Sequence, residues 1–235
     1  MPIILACVLL AGCTRQQHLP KHFVILVDTS ASIEPAAEAE CIKSIGTLVE
    51  KMERADTVSV IPITSDADVQ SNGRILRLQK PTDRSAYDAD LLLFSKHAQQ
   101  SLQEMRAWAI SHPTSQTDIF GAIRMAAEEF AAAPKEQERI LVIFSDFIED
   151  DGTVDFKTDR RVADARTAID YAKSEAKLGA MSARGKLGLL QSKELHGLNK
   201  QRREGIRRFW QQYLKSLGME SQYMTDGLGL LTGDL

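Results

Sequence analysis

The sequence predicts an α/β protein with a doubly wound, mostly parallel central sheet and helices on both of its faces. Strand-like and helix-like patterns alternate after residue 20, as in folds whose parallel strands are joined by helical crossovers. Two predicted strands, residues 22–27 and 139–145, contain the continuous apolar runs 23–27 and 140–144, which are typical of strands covered on both faces. Each run leads into an aspartate. The carboxyl ends of parallel strands are where such folds bind their ligands.

The first half of the chain supplies three predicted strands. The run at 22–27 is followed by a second strand at 57–64. Residues 65–73 are rich in Asp, Asn and Gly and predict a turn, so the run at 74–78 is expected to return antiparallel to the second strand. Pro62 cannot donate a backbone hydrogen bond, which argues against full pairing of the second strand on both sides.

Three helices are predicted before the strand at 139–145. The first lies between the first and second strands, and the other two follow the third strand. Pro35 suits the first turn of a helix, and a long helical pattern covers residues 86–110. Thr117 or Asp118 can cap the third helix. Apolar residues recur at helical spacing in the first helix and form one buried stripe: Cys41, Ile42, Ile45, Leu48, Val49 and Met52.

After the apolar strand at 139–145 we expect a basic helix at 159–177, a strand near 186–191 and a helix at 199–217. The last helix has a regular apolar stripe ending before Gly218: Ile206, Phe209, Trp210, Tyr213, Leu214 and Leu217. We place the domain at residues 21–217, followed by a tail at 218–235 without a clear period. Within that tail, the segment 227–231 is a candidate for a further strand.

Composition and charge favour one soluble domain. The chain has 235 residues, 43% of them apolar and 26% charged, with a net charge of −3, so it lacks the basic footprint of a nucleic-acid-binding protein. Residues 160–215 nevertheless carry a net charge of +9 and residues 1–159 one of −9. These are either differently solvated helical faces, or a basic edge that meets anionic lipid or an acidic partner.

The N-terminus resembles an export signal. Residues 2–12 are uncharged and mostly apolar, but they are too few to span a membrane, as in the core of a signal peptide. The run Leu10-Ala11-Gly12-Cys13 resembles the lipobox of bacterial lipoproteins. This resemblance implies cleavage after residue 12, lipidation of Cys13, a tether at 13–20 and anchoring to the cell membrane or outer membrane. A cleaved signal without lipid and a buried first strand are the alternatives.

Only three cysteines occur, which excludes a disulfide framework. Cys7 and Cys13 lie in the N-terminal apolar stretch. Cys41 lies on the apolar face of the first predicted helix and is expected in the core.

The polar residues after the two apolar strands resemble a known motif. Asp28-Thr29-Ser30-Ala31-Ser32 reads D-x-S-x-S, and Ser145-Asp146 follows the later strand. Together with Thr117, their order and strand context over residues 21–217 resemble the von Willebrand factor type A domain, which has a Rossmann-like fold. The resemblance implies a metal-ion-dependent adhesion site and binding of a protein or peptide partner. Its residues would be Asp28, Ser30, Ser32, Thr117 and Asp146.

The chemistry of these residues supports a cation. Carboxylate and hydroxyl oxygens suit hard divalent ions, and Mg²⁺ keeps several waters when it binds few protein ligands. We expect Mg²⁺, with Mn²⁺ or Ca²⁺ as alternatives, and a partner carboxylate that replaces a water. The competing structural explanation is helix capping by Ser30, Ser32 and Thr117, although capping does not account for two aspartates that end strands.

Other functions are less well supported. A phosphotransferase with an aspartate nucleophile resembles D-x-D, whereas position 30 is serine, and neither G-x-S-x-G nor a P-loop occurs. We therefore expect no enzymatic activity and no small-molecule cofactor. A metal-independent scaffold in a cell-envelope complex is the main alternative. Glu149, Asp150 and Asp151 are candidate rim contacts, and they can equally form a solvated loop or hold a second cation such as Ca²⁺.

Overall fold

The computed structural model describes residues 19–67, 74–82, 88–174 and 181–226. Within them, six strands form one sheet in the order β3-β2-β1-β4-β5-β6. All neighbouring strands are parallel except β2 and β3. The strands are β1 (Lys21–Asp28), β2 (Thr57–Ile63), β3 (Leu76–Gln79), β4 (Glu138–Ser145), β5 (Arg184–Leu189) and β6 (Glu220–Asp226). The predicted fold class is confirmed.

The helices lie on both faces of this sheet. They are α1 (Pro35–Lys51), α2 (Asp88–Ser111), α3 (Ile119–Ala132), α4 (Ala165–Ser174), α5 (Lys193–Gly197) and α6 (Lys200–Ser216). Residues of β1 alternate between two cores: Phe23 and Ile25 pack with α1 and α2, whereas Val24 and Leu26 pack with α3 and α6. This alternation is the period of two that a strand imposes. It explains why the strand is apolar at consecutive positions.

The connections between the strands determine where the ligand-binding crevice lies. From β1 the chain moves outward through β2 to β3, and after α3 it returns to the other side of β1 as β4. The strand order therefore reverses between β1 and β4, the point where doubly wound sheets bind ligands beyond the strand ends. Pro62 is accommodated because β3 pairs only with residues 57–60 of β2.

Two predictions differ from the structure, and one element was not predicted. The sheet continues past residue 217, where we predicted the domain to end, because Glu220–Asp226 pairs with β5. The predicted helix 159–177 begins as a 3-10 turn at Arg160–Ala163 and continues as α4. Its break has a local cause: Asp159 and Asp164 each accept a hydrogen bond from a backbone amide two residues later, which competes with a continuous helix. The short α5 was not predicted.

Several predictions fall partly or wholly outside the described residues. These include the signal segment 1–12, Cys13 and the candidate strand 227–231. Cys41, by contrast, is fully buried against the β-sheet face that carries α1, so its predicted core position is confirmed. Among the described residues, no helix is both long and apolar enough to cross a membrane.

Candidate metal centre

The predicted site loops meet beyond the carboxyl ends of β1 and β4. The amide of Ala31 donates to the Thr114 carbonyl at 3.0 Å, and the amide of Lys193 donates to the Ser32 carbonyl at 3.2 Å. The loop after β1 is thus held between the segment that precedes α3 and the start of α5. These bonds bring three separate parts of the chain to one place.

Asp28 joins the two central strands. Its Oδ1 accepts a hydrogen bond from the Ser30 amide at 3.0 Å, and its Oδ2 accepts one from the Ser145 hydroxyl at 2.6 Å. The Ser30 hydroxyl in turn lies 3.0 Å from that of Ser32. Asp28 is fully buried. Ser145 was not predicted as a site residue. Its position directly before Asp146, at the end of an apolar strand, is the feature of the sequence that could have indicated it.

Asp146 is held at the start of the loop after β4. Its Oδ1 accepts a hydrogen bond from the Ile148 amide at 2.9 Å. Its Oδ2 is buried and accepts no hydrogen bond of acceptable geometry among the described residues, although the Ser192 hydroxyl is close enough to lower the carboxyl pKa. A buried carboxylate oxygen without a partner is costly, and it is the kind of atom that a cation satisfies.

The turn after Asp146 is unusual. Phe147 has a φ of 63°, a left-handed conformation that is rare for a bulky residue. Its carbonyl accepts a hydrogen bond from the Trp210 indole at 2.9 Å, and its amide donates to the Ser145 hydroxyl at 2.9 Å. These bonds hold the strained residue in place and thereby fix the direction of the Asp146 side chain.

The two aspartates disfavour each other's charge. Burial is the main cause that raises the pKa of Asp146, with the nearby negative charge of Asp28 next, and together they bring it to about 7. Burial also raises the pKa of Asp28, while the hydrogen bonds from Ser145 and Ser30 oppose that shift. Glu194 adds a smaller unfavourable charge to both. Paired buried carboxylates of this kind are a common feature of functional sites.

Thr117 lies on the loop beside these residues. It is buried, and its amide and carbonyl form a two-bond bridge with Asp150, at 2.8 Å and 3.0 Å. The structure therefore places Thr117 between the loop after β1 and the loop after β4. No contact of its hydroxyl with Asp28 or Asp146 is among the described interactions.

The capping explanation for the hydroxyl residues is not supported. Helix α1 begins after Glu34, which makes no side-chain capping bond. Helix α3 is capped by Asp118, whose Oδ1 accepts from the Gly121 amide at 2.6 Å. Since Ser30, Ser32 and Thr117 cap neither helix, their side chains are not explained by helix capping.

The candidate rim residues occupy different environments. Glu149 is fully buried, so our prediction that it contacts a partner at the rim is wrong. The reason is that its Oε2 accepts hydrogen bonds from the amides of Ile119 and Phe120, at 2.9 Å and 3.3 Å, at the start of α3. Asp150 is half-buried and pairs with Lys157 at 3.0 Å, and Asp151 is also half-buried.

A second group of carboxylates lies beside the predicted site. One carboxylate oxygen from each of Asp118, Glu149 and Asp151 lies within 4.8 Å of the other two. The group is compatible with a divalent cation. The sequence indicates Asp118 only as a helix cap. No pattern in the sequence shows that the loop after β4 folds back onto the start of α3.

A cleft of about 320 Å³ opens next to Asp146. Its wall on the α6 side carries Lys200, Arg203 and Arg207, with Glu204 as the acidic residue among them. No ion pair of these three cations is found among the described residues. The cleft is therefore a polar, mainly basic surface that continues from the predicted site.

Known proteins resemble this chain in three-dimensional structure and not in sequence. No protein-family model and no curated protein matches the sequence. The pilus adhesin SpaC of Lactobacillus rhamnosus GG, in an open conformation, aligns with a TM-score of 0.54 at 12% identity, over 92% of this chain and 29% of the adhesin. The chain shares the doubly wound, Rossmann-like α/β fold of this part of the adhesin.

Two further solved structures align less closely. Manganese-loaded TRAP protein of Plasmodium vivax has a TM-score of 0.47 and 12% identity, over 88% of this chain and 69% of TRAP. A von Willebrand factor type A protein from Catenulispora acidiphila has a TM-score of 0.44 and 14% identity, over 85% of this chain and 43% of that one. The chain thus spans less than half of two of these three proteins. At such low identity, the resemblance concerns the fold.

Proposed function

We propose that this protein binds a protein or peptide partner through a divalent cation held at the carboxyl ends of β1 and β4. The observation that carries the proposal is the pair of buried aspartates, Asp28 and Asp146, since Oδ2 of Asp146 is buried and accepts no well-formed hydrogen bond within the part of the chain that the structure describes. A dication would satisfy that oxygen and remove the repulsion between the two carboxylates.

The residues present fit a hard cation. Asp28 and Asp146 would supply two negative charges, and the hydroxyls of Ser30, Ser32 and Thr117 would supply neutral oxygens. This donor set contains neither imidazole nor thiolate, so it favours Mg²⁺, Mn²⁺ or Ca²⁺ over zinc. With two carboxylates against a dication the bound site is close to neutral, so it tolerates one more carboxylate from a partner.

The surroundings favour an acidic partner. A carboxylate at an open position of the cation would lie beside the cleft that is lined by Lys200, Arg203 and Arg207. Neighbouring acidic residues of the partner can then pair with these cations, and such complementarity contributes mainly to specificity and association rate. This gives a role to the positive charge of residues 160–215.

We further propose that the protein is exported and anchored by a lipid on Cys13, because Leu10-Ala11-Gly12-Cys13 resembles a lipobox. Seven residues, 14–20, would separate the anchor from the domain and reach about 25 Å at ~3.5 Å per residue. The domain would then lie close to the bilayer. The fold shared with a pilus adhesin agrees with a surface or extracellular setting.

The proposed activity is binding without catalysis. A cation held by Asp28 and Asp146 would occupy both carboxylates, so neither would be available as the nucleophile or general base that hydrolysis or group transfer needs. Position 30 is serine, which is also unlike an aspartate-based phosphotransferase. The metal-independent scaffold differs in one testable respect, since its partner binding would not respond to EDTA.

The first experiment measures cation binding. Titration of Mg²⁺ into the full chain by calorimetry should give one binding event at this site, which Asp28→Ala abolishes. Asp146→Ala should weaken it less completely if that residue acts through a water. Asp170→Ala removes an exposed carboxylate of α4 and is the matched control. Unchanged Mg²⁺ affinity in Asp28→Ala, or its global unfolding at room temperature, would contradict the assignment.

The second experiment measures partner binding. Proteins captured from envelope extract by the wild type with Mg²⁺, and lost with EDTA or in Asp28→Ala, would be identified by mass spectrometry. Binding of the purified partner should then weaken in Arg203→Glu and not in Arg208→Glu, since Arg208 lies on the same helix outside the cleft. EDTA-resistant capture would favour the scaffold.

A further inference from the structure

The group of Asp118, Glu149 and Asp151 contains one buried carboxylate oxygen that has no hydrogen-bond partner among the described residues. Glu149 is fully buried, and while its Oε2 accepts two backbone amides, its Oε1 is buried without a hydrogen-bond partner among the described residues. A buried oxygen without a partner is destabilising unless a ligand satisfies it. This observation is independent of the clustering of the three acids.

Asp118 has partners of its own: Arg124 Nη2 lies 3.9 Å from its Oδ2, and the same oxygen accepts the Ala67 amide at 3.2 Å. No ion pair of Glu149 or Asp151 occurs among the described residues. The amide-rich start of α3 stabilises Glu149 in part, since its Oε2 receives two of those amides. Even so, burial raises the pKa of Glu149 well above its ordinary value, and the charges of Asp118 and Asp151 add to this effect.

We infer that Asp118, Glu149 and Asp151 form a second divalent-cation site, distinct from the one at Asp28 and Asp146. Its ligand is a hard cation, because every donor is a carboxylate oxygen. Ca²⁺ fits best, since it accepts six to eight oxygens in flexible geometry, whereas Mg²⁺ requires a near-ideal octahedron. Asp151 is half-buried and leaves an opening for ion entry and for water ligands.

The second site lies beside Thr117, a proposed ligand of the first cation. Thr117 directly precedes Asp118, and its backbone is bridged to Asp150, which lies between Glu149 and Asp151 in sequence. A cation held by all three acids would therefore join the loop before α3 to the loop after β4. On the proposed function, which this step assumes, that junction fixes the loop that presents Thr117 to the first cation.

The test counts Ca²⁺ ions in the full chain by calorimetry, with Tb³⁺ luminescence as a second readout. In Asp28→Ala, which abolishes cation binding at the first site, Ca²⁺ binding should persist with one ion per chain. Adding Glu149→Gln should weaken that remaining binding at least about tenfold. Glutamine keeps an oxygen that can accept the amides of Ile119 and Phe120, so the start of α3 should remain intact, as circular dichroism would check.

Asp151→Asn provides an independent variant at a half-buried surface position, where misfolding is not expected. It should also reduce Ca²⁺ affinity, and Ca²⁺ should then raise its melting temperature less than that of the wild type. Absence of Ca²⁺ binding in Asp28→Ala, or equal Ca²⁺ affinity with and without Glu149→Gln in that background, would overturn the second site. Failure of the proposed function would look different, since partner binding would then be independent of Asp28.

Discussion

Replacing Asp146 with Asn removes one of the two buried charges while keeping the side-chain shape. An amide oxygen can still accept the hydrogen bond from Ile148, and the buried position that lacks a partner becomes uncharged. In the absence of metal, the variant should therefore be more stable than the wild type at neutral pH. A residue that merely supported the fold would give the opposite result.

The expected size follows from the pKa of Asp146, which is raised from 3.8 to about 7 in the folded protein. Between these values the folded state holds a proton that the unfolded chain has released, so wild-type stability falls as pH rises from about 4 to 7. The full effect is up to about 4 kcal/mol at 1.36 kcal/mol per unit. Burying an imperfectly bonded amide costs about 1–3 kcal/mol in return, which leaves a gain of about 1–3 kcal/mol.

Thermal melts in EDTA at pH 8 and pH 4.5 measure this difference. At 2–4 °C per kcal/mol for a chain of this size, the variant should melt roughly 2–12 °C above the wild type at pH 8, and the gap should close at pH 4.5. Adding Mg²⁺ at pH 8 should raise the melting temperature of the wild type more than that of the variant. Asp170→Asn, an exposed control, should change stability by less than about 0.5 kcal/mol. A variant that melts below the wild type at pH 8, or a pH-independent gap, would refute the reasoning.

Three further predictions concern packing, anchoring and turnover. Gly121→Ala should destabilise the fold by about 1–3 kcal/mol, because a Cβ there would lie 2.0 Å from Asp118 Oδ2. Gly46→Ala meets nothing within 4 Å and should stabilise α1 by about 0.5–1 kcal/mol; urea denaturation compares the two, and equal effects would contradict the clash. Cys13→Ser should move the protein from the membrane to the soluble fraction, and a variant that stays in the membrane would show the lipobox interpretation to be wrong. The full chain with Mg²⁺ should hydrolyse no phosphate ester or peptide, so any hydrolysis that disappears in Asp28→Ala would argue for an enzyme.

Much of the fold was predictable because its central strands are buried on both faces. The apolar runs that became β1 and β4 mark the middle of the sheet, and their terminal aspartates mark its ligand-binding end. Elements at the periphery were harder to predict. The short α5 begins at Lys193 with a Ser192 cap that accepts from the Leu195 amide at 2.9 Å, and a helix this short leaves no measurable period in the sequence.

The site was predictable only where its residues follow strands directly. Asp28 and Asp146 do so, and the structure places both in buried positions at adjacent strand ends. Glu149 illustrates the opposite case, because an acidic residue in a loop is normally solvated. Its burial depends on the amides of the distant helix α3, and a contact across 30 positions of sequence has no local signature.

The hydrogen bond between Trp210 and the Phe147 carbonyl makes the intrinsic fluorescence of the protein a probe of the loop after β4. The chain has two tryptophans, and the other, Trp108, is only partly buried and stacks on His112 at 5.2 Å between ring centroids. In Trp108→Phe, all indole emission would come from Trp210, which is fully buried and touches the peptide unit next to Asp146. Ion loading at the crevice should then change the wavelength and intensity of that emission, which can be followed in real time in unlabelled protein.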